Sequence, residues 1–288
     1  MKGYFRGAKY FLNFSFFLFN VIIYSQEVQW QKEIKTNNQD ILSVLKYTVD
    51  QQILLGGSII NRPSESMNHG YDYHVIKLSQ EGNVIWEKTY GGSGHDYLNS
   101  LAILSEGGYI LGGTSFSPLP KDKIQNNFGG SDGWLIKIDN EGEEIWQKKI
   151  GTANNDEISK VVQTNNGKLI VTGNIKSNRT SYGIKEIFVS KLNQNGELIR
   201  TVIIGGNSDN EVTNMIPTHD GGVALLIYSD SQEIDEQINY SYFTQNEGNY
   251  DLISTAETYI SKEDKGFGKG DYWIVKLDKD MIVEWQKI

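Results

Sequence analysis

Four polar side chains recur at one place in this 288-residue chain. Asp40, Asp96, Asp156 and Asn210 each lie ten residues after a repeated anchor position, occupied by Trp30, Trp86, Trp146 and Arg200. Carboxylates on equivalent turns of an array are the residue type that could ring a cation or accept hydrogen bonds from a sugar. Asp and Asn in turns also bond their own backbone, and the balance favours that turn-forming role. Calcium needs about six to eight oxygens converging on one point, and no EF-hand loop occurs. A second candidate surface is the long polar stretch from Ser229 to Gly270, with Tyr240, Tyr242, Tyr250 and Tyr259 beside Glu233, Asp235 and Glu236. Tyrosines in such a loop build a contact surface or anchor the loop to its own sheet. Asp40, Asp96, Asp156, Tyr240, Tyr242 and Tyr250 are therefore the candidate ligand-binding residues, and an extracellular glycan or protein is the expected partner.

No catalytic constellation emerges. His69, His74, His95 and His219 lack metal-ligand spacing, and neither G-x-S-x-G nor a phosphate-binding G-x-x-x-x-G-K-[ST] occurs. A sialidase-like site wants several arginines around a carboxylate, yet beyond residue 25 only Arg62, Arg179 and Arg200 are present. The many acids nominate no separated pair for glycoside hydrolysis. The expectation is a protein without catalytic, metal or cofactor residues. A carbohydrate-active hydrolase or lyase and a structural spacer are the alternatives. A net charge of −9 argues against nucleic acid as a partner. With no cysteine in the chain, stability must come from packing.

The elements that position these residues follow from the tryptophans. All six occupy two positions of one internal repeat. Trp30, Trp86, Trp146 and Trp285 mark the first, with Arg200 substituting once; Trp134 and Trp273 mark the second, with His74 and Phe188 substituting. From each second position the next first position follows after twelve residues. A fixed period of this size signals a stacked or circular array. Each repeat reads as four strands, a to d, exemplified by VIWEKTY (84–90), YLNSLAIL (97–104), YILGGTS (109–115) and GWLIKID (133–139). Gly56-Gly57 and Gly112-Gly113 sit in strand c, where glycine marks a bulge or close backbone approach. A lysine three residues after the second position recurs at Lys77, Lys137, Lys191 and Lys276, and it should snorkel or pair with a carboxylate. The d–a and b–c connections are tight turns, whereas nearly all length variation falls between c and d. One end is thus trimmed and the other carries the long loops, where function tends to reside.

Residues 1–25 read as a signal peptide: Lys2, Arg6 and Lys9 precede an apolar run (10–24) and a small Ser25. Residues 26–288 form the repeat domain, with repeats starting near 30, 86, 146 and 200 and a fifth begun at 285. No membrane span is expected in the mature chain. WEKTYGGSGHDYLNSLAILSEGGYILGGTS and GGSDGWLIKIDNEGEEIWQKK resemble the Trp/Gly-Gly repeats of secreted bacterial β-propeller-like proteins, many with type IX secretion sorting tails; kelch repeats are a looser parallel. The fourth repeat departs from the pattern, losing its Trp and Gly-Gly, and Met281 replaces a turn glycine. The expected fold is all-β: a β-propeller of four-stranded antiparallel blades, incomplete at about four blades plus one extra strand. An open solenoid of stacked sheets is the runner-up. The resemblance implies secretion or cell-surface display and leaves the ligand open.

Overall fold

The computed structural model describes residues 28, 30–34, 39–60, 70–118, 127–177, 184–231, 258–263, 266 and 270–288. The signal-peptide segment 1–25 lies outside them. The chain divides into two units, Met1–Lys32 and Glu33–Ile288, and every strand lies in the second.

Alternating, β-branched segments punctuated by Gly, Asn and Asp build four antiparallel meanders. The first sheet comprises β1 (Asp40–Tyr47), β2 (Ile53–Ile60), β3 (Tyr71–Leu78) and β4 (Val84–Tyr90). The second comprises β5 (Asp96–Ile103), β6 (Tyr109–Ser115), β7 (Asp132–Ile138) and β8 (Glu144–Ile150). The third comprises β9 (Glu157–Gln163), β10 (Leu169–Ser177), β11 (Ile184–Leu192) and β12 (Leu198–Gly205). The fourth comprises β13 (Asn210–Pro217), β14 (Val223–Ser229) and, after an excursion through β15 (Thr258–Ser261), β16 (Asp271–Leu277) and β17 (Val283–Lys287). No helix occurs among the described residues. The fold is the expected one: all-β, with blade-like four-stranded sheets in an incomplete propeller arrangement.

Two details differ from the sequence reading. Each sheet runs b-c-d-a, so an anchor residue closes a sheet instead of opening one: Trp86 lies on β4, Trp146 on β8, Arg200 on β12 and Trp285 on β17. Trp285 therefore lies on the closing strand of the fourth sheet, and residues 30–34 form no strand. Periodicity fixes the length of a repeat but not where a sheet starts. The second difference lies in the longest c–d connection, which contains a strand where the sequence predicts a loop. Its β15 pairs in parallel with β12 and widens the third sheet to five strands. Tyr259 on β15 is buried, with its hydroxyl donating to Glu186 Oε1 at 3.0 Å. This tyrosine anchors the loop to the third sheet, not to its own.

Successive sheets pack face to face through the first strand of each: β5 against β1 to β3, β9 against β5 to β7, and β13 against β9 to β11. Among the described residues no comparable packing joins the fourth sheet to the first. The wedging side chains sit twelve and fifteen residues after the anchor: Leu98 and Leu101, Ile158 and Val161, Val212 and Met215, all buried. Burying one such side chain contributes about 2 kcal/mol. Between the two wedges every first strand carries a bulge, skipping Ser43, Asn99, Ser159 and Thr213. The bulge brings backbone onto the neighbouring strand c and explains the second glycine of each pair. A Cβ on Gly57, Gly113 or Gly173 would lie 2.1, 1.9 or 1.8 Å from the carbonyl oxygen of Ile41, Tyr97 or Glu157. The fourth sheet keeps the bulge with Ile227 at this place.

The tryptophans fasten the trimmed end. Trp86 Nε1 donates to Asn140 O at 2.8 Å and Trp146 Nε1 to Gln194 O at 3.2 Å, each crossing to the next sheet's d–a turn. Arg200 makes the same connection with its guanidinium, donating to Asp280 O at 2.8 Å. These turns require left-handed backbone: Gly82, Gly142 and Gly196 have φ of 80°, 83° and 75°, and Met281 accepts 64° in their place. At the second position Trp134 donates to Gln147 Oε1 at 3.1 Å and Trp273 to Gln286 Oε1 at 3.0 Å. His74 meets Glu87, at the equivalent place, at 2.7 Å. The recurrent lysine reaches the b–c turn, where Lys77 pairs with Asp50 at 3.1 Å, Lys276 with Asp220 at 2.6 Å and Lys137 with Glu106 at 3.6 Å. The third repeat has Asn166 at that turn position, and Lys191 bonds the carbonyl of Lys279 instead.

Gly113→Ala should lower unfolding free energy by about 2–3 kcal/mol, because its Cβ meets rigid backbone. Gly112→Ala, which meets the Ile158 methyl at 3.1 Å, should cost less than Gly113→Ala. Urea denaturation of the two variants measures the difference, and equal midpoints would contradict the bulge argument.

Candidate functional site

The c–d and a–b connections share one end of the array, and three features meet there. The first is the recurrent acid. Asp96 and Asp156 are buried. Asp96 accepts Gly92 N–H and Ser117 Oγ–H, both at 2.7 Å, and also the Ser115 hydroxyl. Asp156 accepts the Thr152 hydroxyl at 2.9 Å and the Thr152 N–H. Asn210 repeats the Asp96 pattern, accepting Ser229 Oγ–H at 2.7 Å and Ser231 Oγ–H at 3.3 Å while donating to Ser208 O at 2.7 Å. These side chains clamp the a–b turn to the end of strand c. Asp40 differs: it is exposed at the start of β1. The structure thus does not bring the recurrent acids together around one point. Among the described residues no three His, Asp or Glu side chains are placed to hold a metal ion. Tyr240, Tyr242 and Tyr250 lie outside the described residues.

Burial shifts Asp156. Removal from water pushes its carboxyl up to about 7; the Thr152 hydrogen bonds work in the opposite direction, and the nearby Asp132 charge adds to the rise. Asp132 belongs to a second acid series that sequence reasoning missed: Asp72, Asp132, Glu186 and Asp271, each two residues before the second repeat position. The first three are fully buried. Asp72 and Asp132 lie against the chain just after strand a, where a Cβ on Gly91 or Gly151 would fall 1.9 or 2.2 Å from a carboxylate oxygen. Their regular spacing was the available signal.

The second feature is a row of aromatic rings. Tyr71 opens β3, His95 precedes β5, Tyr97 lies on β5 and Phe116 follows β6. Tyr71 and Tyr97 have ring centroids 5.2 Å apart; His95 stacks on Tyr97 at 5.7 Å with planes inclined by 3°, and Phe116 meets Tyr97 edge-on at 6.3 Å. The backbone fixes the row, since Phe116 N–H donates to His95 O at 2.8 Å and Tyr71 N–H to His95 Nδ1 at 3.3 Å. The latter bond leaves the proton of neutral His95 on Nε2. His95 and Phe116 are exposed, and the tyrosines are half-buried.

The third feature is a polar cleft of about 420 Å³ where the second, third and fourth sheets meet. Phe116 forms one wall, and Asp156, Glu157, Lys176, Lys185 and Asp209 line the rest. Lys185 is held on both sides: its N–H donates to Asp209 Oδ1 at 2.8 Å and its Nζ to Glu211 Oε2 at 3.4 Å. Burial raises the Glu157 carboxyl, against the Lys185 charge and with that of Glu211. Phe116 therefore belongs both to the aromatic row and to a cleft that offers donors and acceptors. Sequence reasoning missed these residues, because the types of Tyr71, Tyr97 and Phe116 do not recur at the equivalent positions of the other repeats.

No family model matches the chain. A regulatory protein of Caulobacter vibrioides, FlaEY, is 29% identical over 136 residues, which span 43% of this chain and 14% of that protein. The chain thus covers about one seventh of that relative's length. A protein of unknown function from Bacteroides caccae aligns over 89% of this chain and 84% of its own, with 11% identity and a TM-score of 0.32. Among the described residues no helix is long and apolar enough to cross a membrane.

The Asp156 environment sets a pH dependence. A carboxyl raised to about 7 in the fold and near 3.9 when unfolded binds its proton more tightly in the folded chain. Its contribution is therefore intact below about pH 4 and lost as pH rises to about 7, worth roughly 4 kcal/mol. Asp156→Asn copies Asn210 and removes the titration. Its melting temperature should exceed wild type by about 5–10 °C at pH 8 and match it near pH 4; parallel melting curves across this range would refute the shift.

Proposed function

We propose that the mature chain is an exported, non-catalytic binding module that holds a glycan at the long-loop end. The observation that carries this reading is the exposed Phe116, which ends the aromatic row from Tyr71 and forms one wall of the polar cleft. A sugar ring has apolar C–H faces and a polar hydroxyl rim. Aromatic faces accept the former, and convergent carboxylates, amides and ammonium groups orient the latter. The cleft carries both charge signs, which suits a hydroxyl-rich ligand better than a strongly charged one. The positively charged, then apolar, N-terminal 25 residues and the resemblance to secreted Trp/Gly-Gly repeat proteins support export. Asp96 and Asp156 serve here as supports of the turns beneath the ligand.

Affinity electrophoresis of the mature chain through gels cast with soluble polysaccharides tests the reading. Retardation by at least one neutral or weakly acidic polysaccharide is expected. Phe116→Ala and Lys185→Ala should weaken it about tenfold or more, while Glu141→Ala, on a turn of the opposite end, leaves it unchanged. Mobility unaffected by every polysaccharide, or retardation indifferent to Phe116 and Lys185, would reject this site.

A further inference from the structure

The two end faces of the array are the two halves of an interface the chain already builds three times. On the first sheet the wedge positions are Leu42 and Leu45, twelve and fifteen residues after Trp30. They are 68% and 57% exposed, whereas their counterparts Leu98 and Leu101 are 1% and 2% exposed against the preceding sheet. Tyr47 and Val49 continue this exposed apolar edge.

The fourth sheet presents the receiving half. In the first three sheets this face is buried by the next sheet through Tyr73 and Val75, then Leu135, then Ile187 and Val189. Its equivalents in the fourth sheet are Tyr272 and Ile274 on β16, with Tyr228 on β14 and Ile216 on β13 beside them, all solvent-exposed; Tyr272 reaches 73%. The wedge seat is also identifiable. Gly56 lies against Leu98, where an added Cβ would be 2.9 Å from Leu98 Cδ2, and Gly112 lies likewise 3.1 Å from Ile158 Cγ2. Leu226 occupies that seat in the fourth sheet, and the third interface already carries a side chain there, Thr172.

We propose that the first sheet of one copy of this protein docks on the fourth sheet of a second copy, with Leu42 and Leu45 wedged against Leu226, Ile274 and Tyr272. The contact is heterologous, so each copy keeps one free half, and association proceeds to a closed ring or a longer stack. The occupant is a second copy because the exposed surfaces match the two sides of the internal interfaces position by position. It leaves the long-loop end free, and it stands whether or not that end binds glycan.

Sedimentation velocity of the mature chain should show a weight-average mass that rises with concentration. Leu42→Asp with Leu45→Asp, and separately Tyr272→Glu with Ile216→Glu, should each raise the dissociation constant about 100-fold while leaving the melting temperature within about 2 °C. Mixed together, these two variants should form a dimer and nothing larger, because one intact interface remains between them. The absence of native cysteine permits a second readout that needs no disruptive change. Oxidising a mixture of Leu42→Cys and Leu226→Cys chains should give mainly the mixed covalent dimer. A monomeric mass at every concentration, association unaffected by either double variant, or crosslinking only between like chains would overturn the proposal.

Discussion

The structure depends on how closely one sheet can approach the next. A bulge in the first strand of each sheet pushes two apolar side chains toward the preceding sheet, and that sheet must offer a surface without obstruction. Glycine meets the requirement at Gly56 and Gly112, where an added Cβ would lie 2.9 Å from Leu98 Cδ2 and 3.1 Å from Ile158 Cγ2 of the next sheet, while Gly57, Gly113 and Gly173 admit the bulged strand of their own sheet. Close approach then buries Leu98, Leu101, Ile158 and Val161 and strengthens dispersion contacts along the whole face. Without cysteine there is no covalent alternative, so each sheet relies on its neighbours for a core.

The two ends of the array solve opposite problems with the same repeat. At the trimmed end, an indole or guanidinium on the last strand crosses to the following sheet's turn, so a directional hydrogen bond sets the spacing that burial alone would leave loose. Arg200 shows that the constraint is a donor at the correct reach, not an aromatic ring. At the other end the buried Asp96, Asp156, Asp72 and Asp132, drawn from two acid series, hold the a–b turn in place. Burying carboxylates is costly, and the chain meets that cost with Ser and Thr hydroxyls, backbone N–H groups and, at Asp156, a proton retained to about pH 7. Asn210 performs the same clamp without charge, which marks the role as structural.

Much of this was legible in the sequence because strands have a strict period and the hairpin joining d to a has constant length. The twelve-residue interval between the Trp positions is the length of that hairpin. The Gly-Gly pairs, the turn glycines and the recurrent lysine also read correctly, since each reflects a local steric or electrostatic need. The phase of the sheets did not, because a four-strand period is the same wherever counting begins. The role of the 229–270 stretch was misread for a related reason: β15 joins β12 in the third sheet, a pairing with no local signal. The aromatic row was invisible because its members come from different strands and loops of two sheets and meet only once those sheets have packed.

Variation on such a frame falls at repeat positions whose residue type is not constant. Every position that recurs is committed to holding sheets, turns or hairpins together, and changing one disturbs a neighbour on each side. Tyr71 and Lys185 share one repeat position and make the same backbone bond to the next sheet, to His95 and to Asp209, yet their side chains differ, so the side-chain type there can vary while the spacing of the frame stays fixed. The same reasoning separates the fourth sheet from the others. Its outer face lost the Gly-Gly pair yet gained Leu226, Tyr228 and Tyr272, side chains too large and too apolar for a surface meant only to face water. An end cap would replace such residues with charged ones; this face retains the chemistry of an interface.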